Sequence, residues 1–218
     1  MNGTKLIKIA TLATIMSFSL SVIAAERVVK ITPEIGSVNV LHNAKTVVIE
    51  RNQDVNNTID ENYAKTSRAC PPFCIRPIVL APGVETIGEL EVLDYLKKLG
   101  HDKNLMVIDS RTPDWVARGT IAGAVNIPWT QLDTAKGATD LDIEAIVADE
   151  FGATVEDDKW DFSKAKTLVL FCNGMWCGQS PRNIYTLLKL GYPAEKLKWY
   201  RGGMQTWNVL GLSTVKPN

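Results

Sequence analysis

The sequence is poor in the residues that build metal centres and nucleic-acid surfaces. It contains only two histidines, His42 and His101, and neither lies near a cysteine. A zinc site of ordinary Cys/His spacing is therefore not expected. Lys+Arg and Asp+Glu number 24 each, and no run of basic residues occurs. This balance argues against nucleic-acid binding and against attachment to an anionic membrane surface.

Long apolar runs are also missing, except at the start of the chain. There, Lys5 and Lys8 precede the uncharged stretch 9–25, which ends in two alanines before Glu26. A basic start, an apolar core and small residues at the exit are typical of a secretory signal peptide. The alternative is a retained membrane anchor, because the stretch approaches the roughly 20 residues that span a bilayer. We expect residues 1–25 to be cleaved, leaving a periplasmic or otherwise exported protein that is free of the membrane.

Cysteine is scarce, and its spacing limits its uses. The four cysteines form two close pairs, Cys70/Cys74 and Cys172/Cys177. An oxidising compartment permits disulfides, but four cysteines allow three complete pairings, and sequence does not choose among them. For Cys70 and Cys74, which flank two prolines, a structural disulfide is the favoured interpretation. A thiol pair that partners the other two cysteines and a metal clip are the alternatives.

Two regions with different patterns follow the leader. Residues 26–82 are predicted to form an N-terminal extension, with two strands around a turn at 42–45, a polar loop at 51–67 and a proline-rich connector. Residues 83–218 alternate between short apolar segments and amphipathic ones, which predicts one α/β domain.

The alternating segments set the expected fold class. Strands are predicted at 105–108, 124–127, 167–171 and 197–200, and helices at 89–98, 113–118, 140–151, 180–190 and 204–210. Short apolar strands that alternate with helices indicate a parallel sheet, here of about five strands, with helices on both faces. Ser180 is predicted to cap its helix, with Pro181 in the first turn.

Cys172 occupies a favourable position for chemistry. It follows the apolar run 167–171 directly and precedes a loop that contains Gly174 and Gly178. In α/β sheets, ligands bind at the carboxyl ends of the strands. The amides of such a loop and the N-terminus of the next helix create a positive potential, which lowers the pKa of a thiol and makes it a nucleophile. Cys172 is therefore the predicted nucleophile.

Three ordered motifs resemble those of the rhodanese-like family, and together they extend over residues 84–215. They are the loop Phe171-Cys-Asn-Gly-Met-Trp-Cys-Gly-Gln-Ser180, the block Asp109-Ser-Arg111 with Gly119-Thr-Ile-Ala-Gly-Ala-Val-Asn-Ile-Pro128, and the closing Gly202-Gly-Met-Gln-Thr-Trp207 with Gly211. In the second block, Gly119-Thr-Ile-Ala122 stands where the family has Gly-His-Ile-Pro. The resemblance implies a rhodanese-like single-domain sulfurtransferase, here of an exported bacterial type.

The resemblance also implies a mechanism and a set of site residues. The Cys172 thiolate would take sulfane sulfur from a small donor, such as thiosulfate or a persulfide, and pass it from a persulfide to a thiol acceptor in two half-reactions. No cofactor and no metal are implied. The expected loop and substrate-binding residues are Asn173, Gly174, Met175, Trp176, Gly178, Gln179 and Ser180. The expected supporting residues are Asp109, Arg111, Arg182 and Arg201.

The loop departs from many active relatives in having no arginine or lysine. The nearest cation in sequence is Arg182, and Arg201 is a second candidate for the missing charge. This gap weighs against efficient use of a dianionic donor such as thiosulfate. It also weighs against a phosphatase of the same fold, which needs an arginine on the phosphate.

Cys177 keeps other functions open. It is either a cysteine that resolves the Cys172 persulfide or a small buried residue that supports the loop. As a resolving cysteine it would make the protein a periplasmic thiol–disulfide device that exchanges with a redox partner. A non-catalytic module that holds an anion or a thiol is the third interpretation.

Overall fold

The computed structural model describes residues 28–156 and 159–217. The predicted signal peptide at 1–25 lies outside these residues. None of the helices in the described ranges has the length and apolar character needed to cross a bilayer.

The elements fall in the following order along the chain. The strands are β1 Ser37–His42, β2 Lys45–Glu50, β3 Glu85–Ile87, β4 Leu105–Asp109, β5 Val125–Asn126, β6 Thr154–Glu156, β7 Lys159–Asp161, β8 Thr167–Phe171 and β9 Leu197–Tyr200. The α-helices are α1 Glu61–Ala64, α2 Glu89–Lys98, α3 Pro113–Val116, α4 Asp140–Ala145, α5 Gln179–Lys189 and α6 Gly203–Val209.

Within the described residues, five strands form a parallel sheet in the order β3-β9-β8-β4-β5. The expected fold class, a rhodanese-like parallel α/β sheet with a small N-terminal addition, is confirmed. The central strand, β8, pairs with β4 on one side and β9 on the other. Because β8 is central, the residue that follows it lies in the middle of the carboxyl edge of the sheet, where ligands bind in folds of this class.

The two faces of β8 bury alternate side chains in two separate cores. Val169 and Phe171 point into a core with α2 and α6, whereas Leu168 and Leu170 pack on the other face with α5. Strand side chains alternate between the faces of a sheet, so a run without polar residues marks a strand that is covered on both sides. Residues 168–171 have this pattern.

The N-terminal region packs directly on the domain. Val38, Val40 and Ile49 of the β1–β2 hairpin belong to the same core as α2, and so does Tyr63 of α1. His42 adds a polar tie, since its Nδ1 accepts a hydrogen bond from Gly123 N at 3.0 Å. The hairpin therefore completes the helical layer on this face of the sheet. The boundary at residue 83 stays a prediction.

Four local expectations need correction. The sequence pattern did not predict three short pieces of secondary structure, namely β3, the β6–β7 pair and α1. The last of these lies inside the predicted loop 51–67. The helix predicted at 140–151 is α-helical only to Ala145, and a π-helical turn follows at Ile146–Glu150, where Phe151 N donates to Ile146 O. The helix predicted at 180–190 begins at Gln179, with Gly178 at the cap position. Ser180 does not cap this helix, because its hydroxyl donates a hydrogen bond to the Cys172 sulfur.

Candidate functional site

Cys172 lies at the first position after β8 and is almost completely covered. Its exposed fraction is 2%, and that of Cys177 is 4%. Both are free thiols, whereas Cys70 and Cys74 form a disulfide. The loop therefore holds two reduced sulfurs that are almost completely shielded from bulk water.

Helix α6 holds the Cys172 loop in place through its first turn. Met204 N and Gln205 N donate to the carbonyl oxygens of Cys172 and Asn173, at 3.0 and 2.9 Å. The approach is so close that a Cβ on Gly203, which has φ +55°, would overlap Cys172 O. The paired glycines of the closing motif thus let α6 reach the loop, as glycine does where backbones must approach closely.

Hydrogen bonds converge on the Cys172 sulfur. Ser180 Oγ donates to it at 3.2 Å, and Trp199 Nε1 donates to Ser180 Oγ at 3.2 Å. Burial acts to raise the pKa of Cys172. Hydrogen bonds from the Cys177 thiol, the Ser180 hydroxyl and the Ser180 and Gly174 amides outweigh burial and lower the pKa to about 7. A lowered thiol pKa is the physical condition for a nucleophilic cysteine.

Cys177 has the opposite electrostatic situation. Burial, together with the hydrogen bond and the negative charge of Cys172, raises its pKa well above that of an ordinary thiol. Its backbone N–H closes the loop on Gly174 O at 2.8 Å, and its sulfur lies 3.7 Å from Gln179 Oε1. At neutral pH the pair therefore consists of a thiolate-forming Cys172 and a protonated Cys177 that donates to it.

Asp109 and Arg111 form a buried ion pair beside the loop. Their closest atoms, Arg111 Nη2 and Asp109 Oδ2, are 2.6 Å apart, and the side chains are 0% and 1% exposed. Arg111 also donates to Tyr63 Oη at 2.9 Å and to Gly119 O at 2.7 Å, and Thr120 Oγ1 donates to Asp109 Oδ2 at 2.7 Å. Through these hydrogen bonds the pair joins β4 to the N-terminal region.

The two arginines expected near the loop are both engaged elsewhere. Arg182 pairs with Asp133 at 2.7 Å and stacks on Trp129. Arg201 donates two hydrogen bonds to the carbonyl oxygen of Arg76 in the connector, at 3.2 and 2.8 Å. Arg201 therefore positions the connector. The expectation that it supplies positive charge at Cys172 stays a prediction.

A cavity of 290 Å³ lies over the loop, between the domain and the connector. The loop contributes Asn173, Trp176, Cys177, Gly178 and Gln179 to its wall. The other walls are formed by Pro72, by the aromatic residues Phe73, Trp115 and Trp129, and by the cationic residues Arg68, Arg76 and Arg182. Trp176 Nε1 donates to Gln205 Oε1 at 2.7 Å, which fixes the indole as one wall. Ser180, expected to bind substrate, is instead fully buried beneath the loop.

Sequence reasoning missed the connector residues that reach this cavity. Arg76 N donates to Met175 O at 2.9 Å, and the Arg68 guanidinium lies 4.3 Å from the centre of the Trp176 ring. Phe73, inside the Cys70–Cys74 loop, meets Trp176 edge to face at 5.5 Å. Two arginines on either side of a Cys-Pro-Pro-Phe-Cys segment were the available signal, but their distance from Cys172 in sequence hid it.

No cluster of three or more His, Cys, Asp or Glu side chains that could hold a metal ion occurs in the part of the chain that the structure describes. The ionisable residues that line the cavity are Cys177, Arg68, Arg76 and Arg182.

The chain was compared with protein families and with known proteins. The family model for the rhodanese-like domain matches residues 92–209. No curated protein sequence matches the chain.

Three solved structures that resemble the chain come from different sources. A Bacillus halodurans protein is 16% identical, with a TM-score of 0.41, over 62% of this chain and 82% of its own. A rhodanese-related protein from Thermoplasma volcanium is 20% identical, with a TM-score of 0.33, over 60% and 97%. A human single-domain sulfurtransferase is 23% identical, with a TM-score of 0.32, over 57% and 95%.

Proposed function

The chain belongs to the rhodanese-like domain family, and from this premise we propose that it is a sulfurtransferase in which Cys172 carries the transferred sulfur. Membership of the family supports a role in sulfur transfer in general. The observation that carries the finer proposal is the set of hydrogen bonds on the Cys172 sulfur, from the Ser180 hydroxyl, the Cys177 thiol and two backbone amides. These donors stabilise a thiolate, and they would equally stabilise the negative outer sulfur of a persulfide.

The reaction has two balanced half-reactions. The Cys172 thiolate attacks the outer sulfur of the donor, the sulfur–sulfur bond of the donor breaks, and the remaining fragment leaves with the bonding electron pair. With thiosulfate, that fragment is sulfite. An acceptor thiolate then attacks the outer sulfur of the Cys172 persulfide, which forms an acceptor persulfide and restores the Cys172 thiolate. Two steps through one covalent intermediate predict ping-pong kinetics.

We assign the setting on the sequence alone. Residues 1–25 have the pattern of a secretory signal peptide, so the proposed place of action is the periplasm or another exported compartment. The proposed partners are a small sulfur donor and a thiol acceptor. An N-terminus that still begins at Met1 in protein isolated from the native host would overturn the proposed export.

The test of the proposed function is mass spectrometry of the intact protein. Wild type, Cys172→Ser and Cys177→Ser are treated with thiosulfate or polysulfide and compared with untreated protein. The proposal expects a gain of one sulfur atom in wild type and in Cys177→Ser, and no gain in Cys172→Ser. No covalent change with any donor would contradict it and would leave a non-catalytic module that holds an anion or a thiol.

One observation favours a second candidate, a thiol–disulfide redox protein. Cys172 and Cys177 are both free, and their side chains are hydrogen-bonded to each other. Cys172 thiolate could attack the disulfide of a redox partner, and Cys177 could then displace the partner to leave an internal disulfide. In the same mass experiment, this function predicts a Cys172–Cys177 disulfide and no stable persulfide.

A further inference from the structure

The cavity over the Cys172 loop is positively charged, although the loop has no cation. Arg68 and Arg76 reach it from the connector, and Arg182 reaches it from α5. Among the residues that the structure describes, no aspartate or glutamate lines it. Arg182 is paired with Asp133, so the unbalanced charge comes from the two connector residues.

Both connector arginines have unused donors. Arg68 Nε and Arg76 Nε are buried and have no hydrogen-bond partner, and no carboxylate in the described ranges pairs with either guanidinium. A buried donor without a partner is costly, and a cluster of such donors at a cavity calls for a ligand that accepts hydrogen bonds. Asn173, a third wall residue, is 3% exposed, and its Oδ1 also lacks a partner.

The surroundings hold these arginines in place without neutralising them. The Arg68 guanidinium lies over Trp176 at 4.3 Å and over Phe73 at 5.3 Å, measured to the ring centres. Stacking occupies the face of a guanidinium and leaves its N–H edge available to an anion. Arg76 is fixed by its backbone, whose N–H binds Met175 O and whose carbonyl accepts from Arg201. Neither of these hydrogen bonds involves the Arg76 side chain.

We propose that the N-terminal region completes the sulfur-donor site, with Arg68 and Arg76 binding the anionic group of a small sulfane-sulfur compound over the Cys172 loop. The nature of this ligand rests on the proposed function. Cys177 and Asn173, which follows Cys172 directly, line the same cavity, so a ligand held there lies against the loop that carries the nucleophile. The connector thus supplies the positive charge that the loop itself lacks. The lack of an arginine or lysine in the loop therefore no longer weighs against the use of an anionic sulfur donor.

The cavity volume limits the ligand to a small molecule. Its volume of 290 Å³ lies just below the range of roughly 300–1,000 Å³ that is typical of small-molecule sites. Two sources share the required chemistry. One is an inorganic oxyanion such as thiosulfate, and the other is an alkyl persulfide that carries a carboxylate.

The first experiment measures binding without chemistry. Full-length Cys172→Ser protein, with its Cys70–Cys74 disulfide intact, is titrated calorimetrically with thiosulfate and, separately, with 3-(methylthio)propionate as an unreactive stand-in for the carboxylate-bearing persulfide. Removing one charge-assisted contact by Arg68→Gln or Arg76→Gln is expected to weaken binding about ten-fold. Arg68→Lys and Arg76→Lys should recover part of the loss, because they keep the charge.

Arg118→Gln is the matched control. Arg118 also stacks on a tryptophan, Trp115, at 4.5 Å, but it is exposed and does not line the cavity. It should bind like the parent. Equal affinities in the parent and in both glutamine variants, or no binding of either anion to the parent, would overturn the proposal. The anion that loses more affinity in the glutamine variants identifies the source.

The second experiment separates this proposal from the proposed function. Modification of an intact Cys172 is followed over time by mass with two reagents. Thiosulfate leaves a persulfide on Cys172 and releases sulfite, whereas an uncharged dialkyl trisulfide, attacked at its central sulfur, leaves a mixed trisulfide and releases an alkyl thiolate. Arg68→Gln and Arg76→Gln should raise the KM for thiosulfate about ten-fold and leave the trisulfide reaction unchanged. If persulfide formation with thiosulfate does not depend on either arginine, the anion site is refuted and the proposed sulfurtransferase function is not. If binding depends on the arginines but no persulfide forms, the sulfurtransferase function is refuted and the anion site is not.

Discussion

The Cys172 thiol receives its hydrogen bonds from residues on different elements. Gly174 and Cys177 belong to its own loop, Ser180 to α5, and Trp199, which orients the Ser180 hydroxyl, to β9. Only the loop residues are local in sequence. The acidity of this sulfur therefore depends on how the sheet and α5 come together, and it can be tested one donor at a time.

The first prediction at this scale concerns pH. The thiolate is the attacking form, and the pKa of Cys172 is lowered to about 7. The rate of persulfide formation should therefore rise with pH, pass its midpoint at about pH 7 and level off above it. Stopped-flow measurement of the first half-reaction checks this. A midpoint near that of an unperturbed thiol, about 8.5, would contradict it.

A second prediction concerns Ser180. In Ser180→Ala the thiolate loses a hydrogen bond from the hydroxyl, so the pKa of Cys172 should rise by about one pH unit. Titration of the thiolate by ultraviolet absorbance, with Cys172→Ser as the blank, measures the change. Ser163→Ala, which removes an exposed hydroxyl bound to Asp161, should leave the titration unchanged. Equal curves for the two variants would show that Ser180 serves only packing.

At the scale of elements, the contact between α6 and the loop decides the shape of the site. Gly203 has φ +55°, and a side chain there would overlap Cys172 O and crowd Gly174 N. Two costs would add in Gly203→Ala, because the backbone region is unfavourable for alanine and the loop must also move.

This contact makes the third prediction. Gly203→Ala should lower the free energy of unfolding by about 2–4 kcal/mol and slow persulfide formation, since a displaced loop misplaces its amides. Gly137→Ala is the matched control, because Gly137 has φ +98° but open space around the position of a Cβ. It should cost about 1 kcal/mol and leave the rate unchanged. Urea denaturation gives the two values, and similar losses would contradict the steric argument.

The elements also show where a local pattern is sufficient. Three elements have the bounds that the sequence predicts: the helix Glu89–Lys98 and the strands Thr167–Phe171 and Leu197–Tyr200. Each has a continuous apolar pattern, and its packing in the fold buries the residues that this pattern indicates. The prediction was wrong at Ser180. A serine before a proline is a good helix cap, but here its hydroxyl is buried between a thiol and an indole. Competition between a local and a distant partner is invisible in the pattern.

At the scale of the whole molecule, the Asp109–Arg111 pair links the N-terminal region to the sheet. The Arg111 guanidinium reaches Tyr63 in α1, and both charged side chains are fully buried. Because charges inside a protein are stable only when paired, loss of one partner leaves the other uncompensated.

The fourth prediction follows from this arrangement. Asp109→Asn should lower the free energy of unfolding by about 3–5 kcal/mol, since Arg111 is left buried without its counter-charge. The control is Asp94→Asn, which breaks the exposed pair of Asp94 with Lys97 and should cost about 0–1 kcal/mol. Chemical denaturation of both variants decides the matter. A loss as small as that of the control would mean that Asp109 contributes no more than a surface charge.

The sequence by itself determined four of the five strands of the sheet, the parallel α/β class, and the placement of Cys172 at a strand end within three rhodanese-like motifs. Each of these depends on periodicity or on motifs whose residues are close together in the chain. Only the tertiary structure decided which groups surround the cysteine pair. Arg68 and Arg76 meet the loop because the connector folds back across the carboxyl edge of the sheet and binds Met175 and Arg201. Contacts across such a distance in sequence arise from packing, and no local pattern records them.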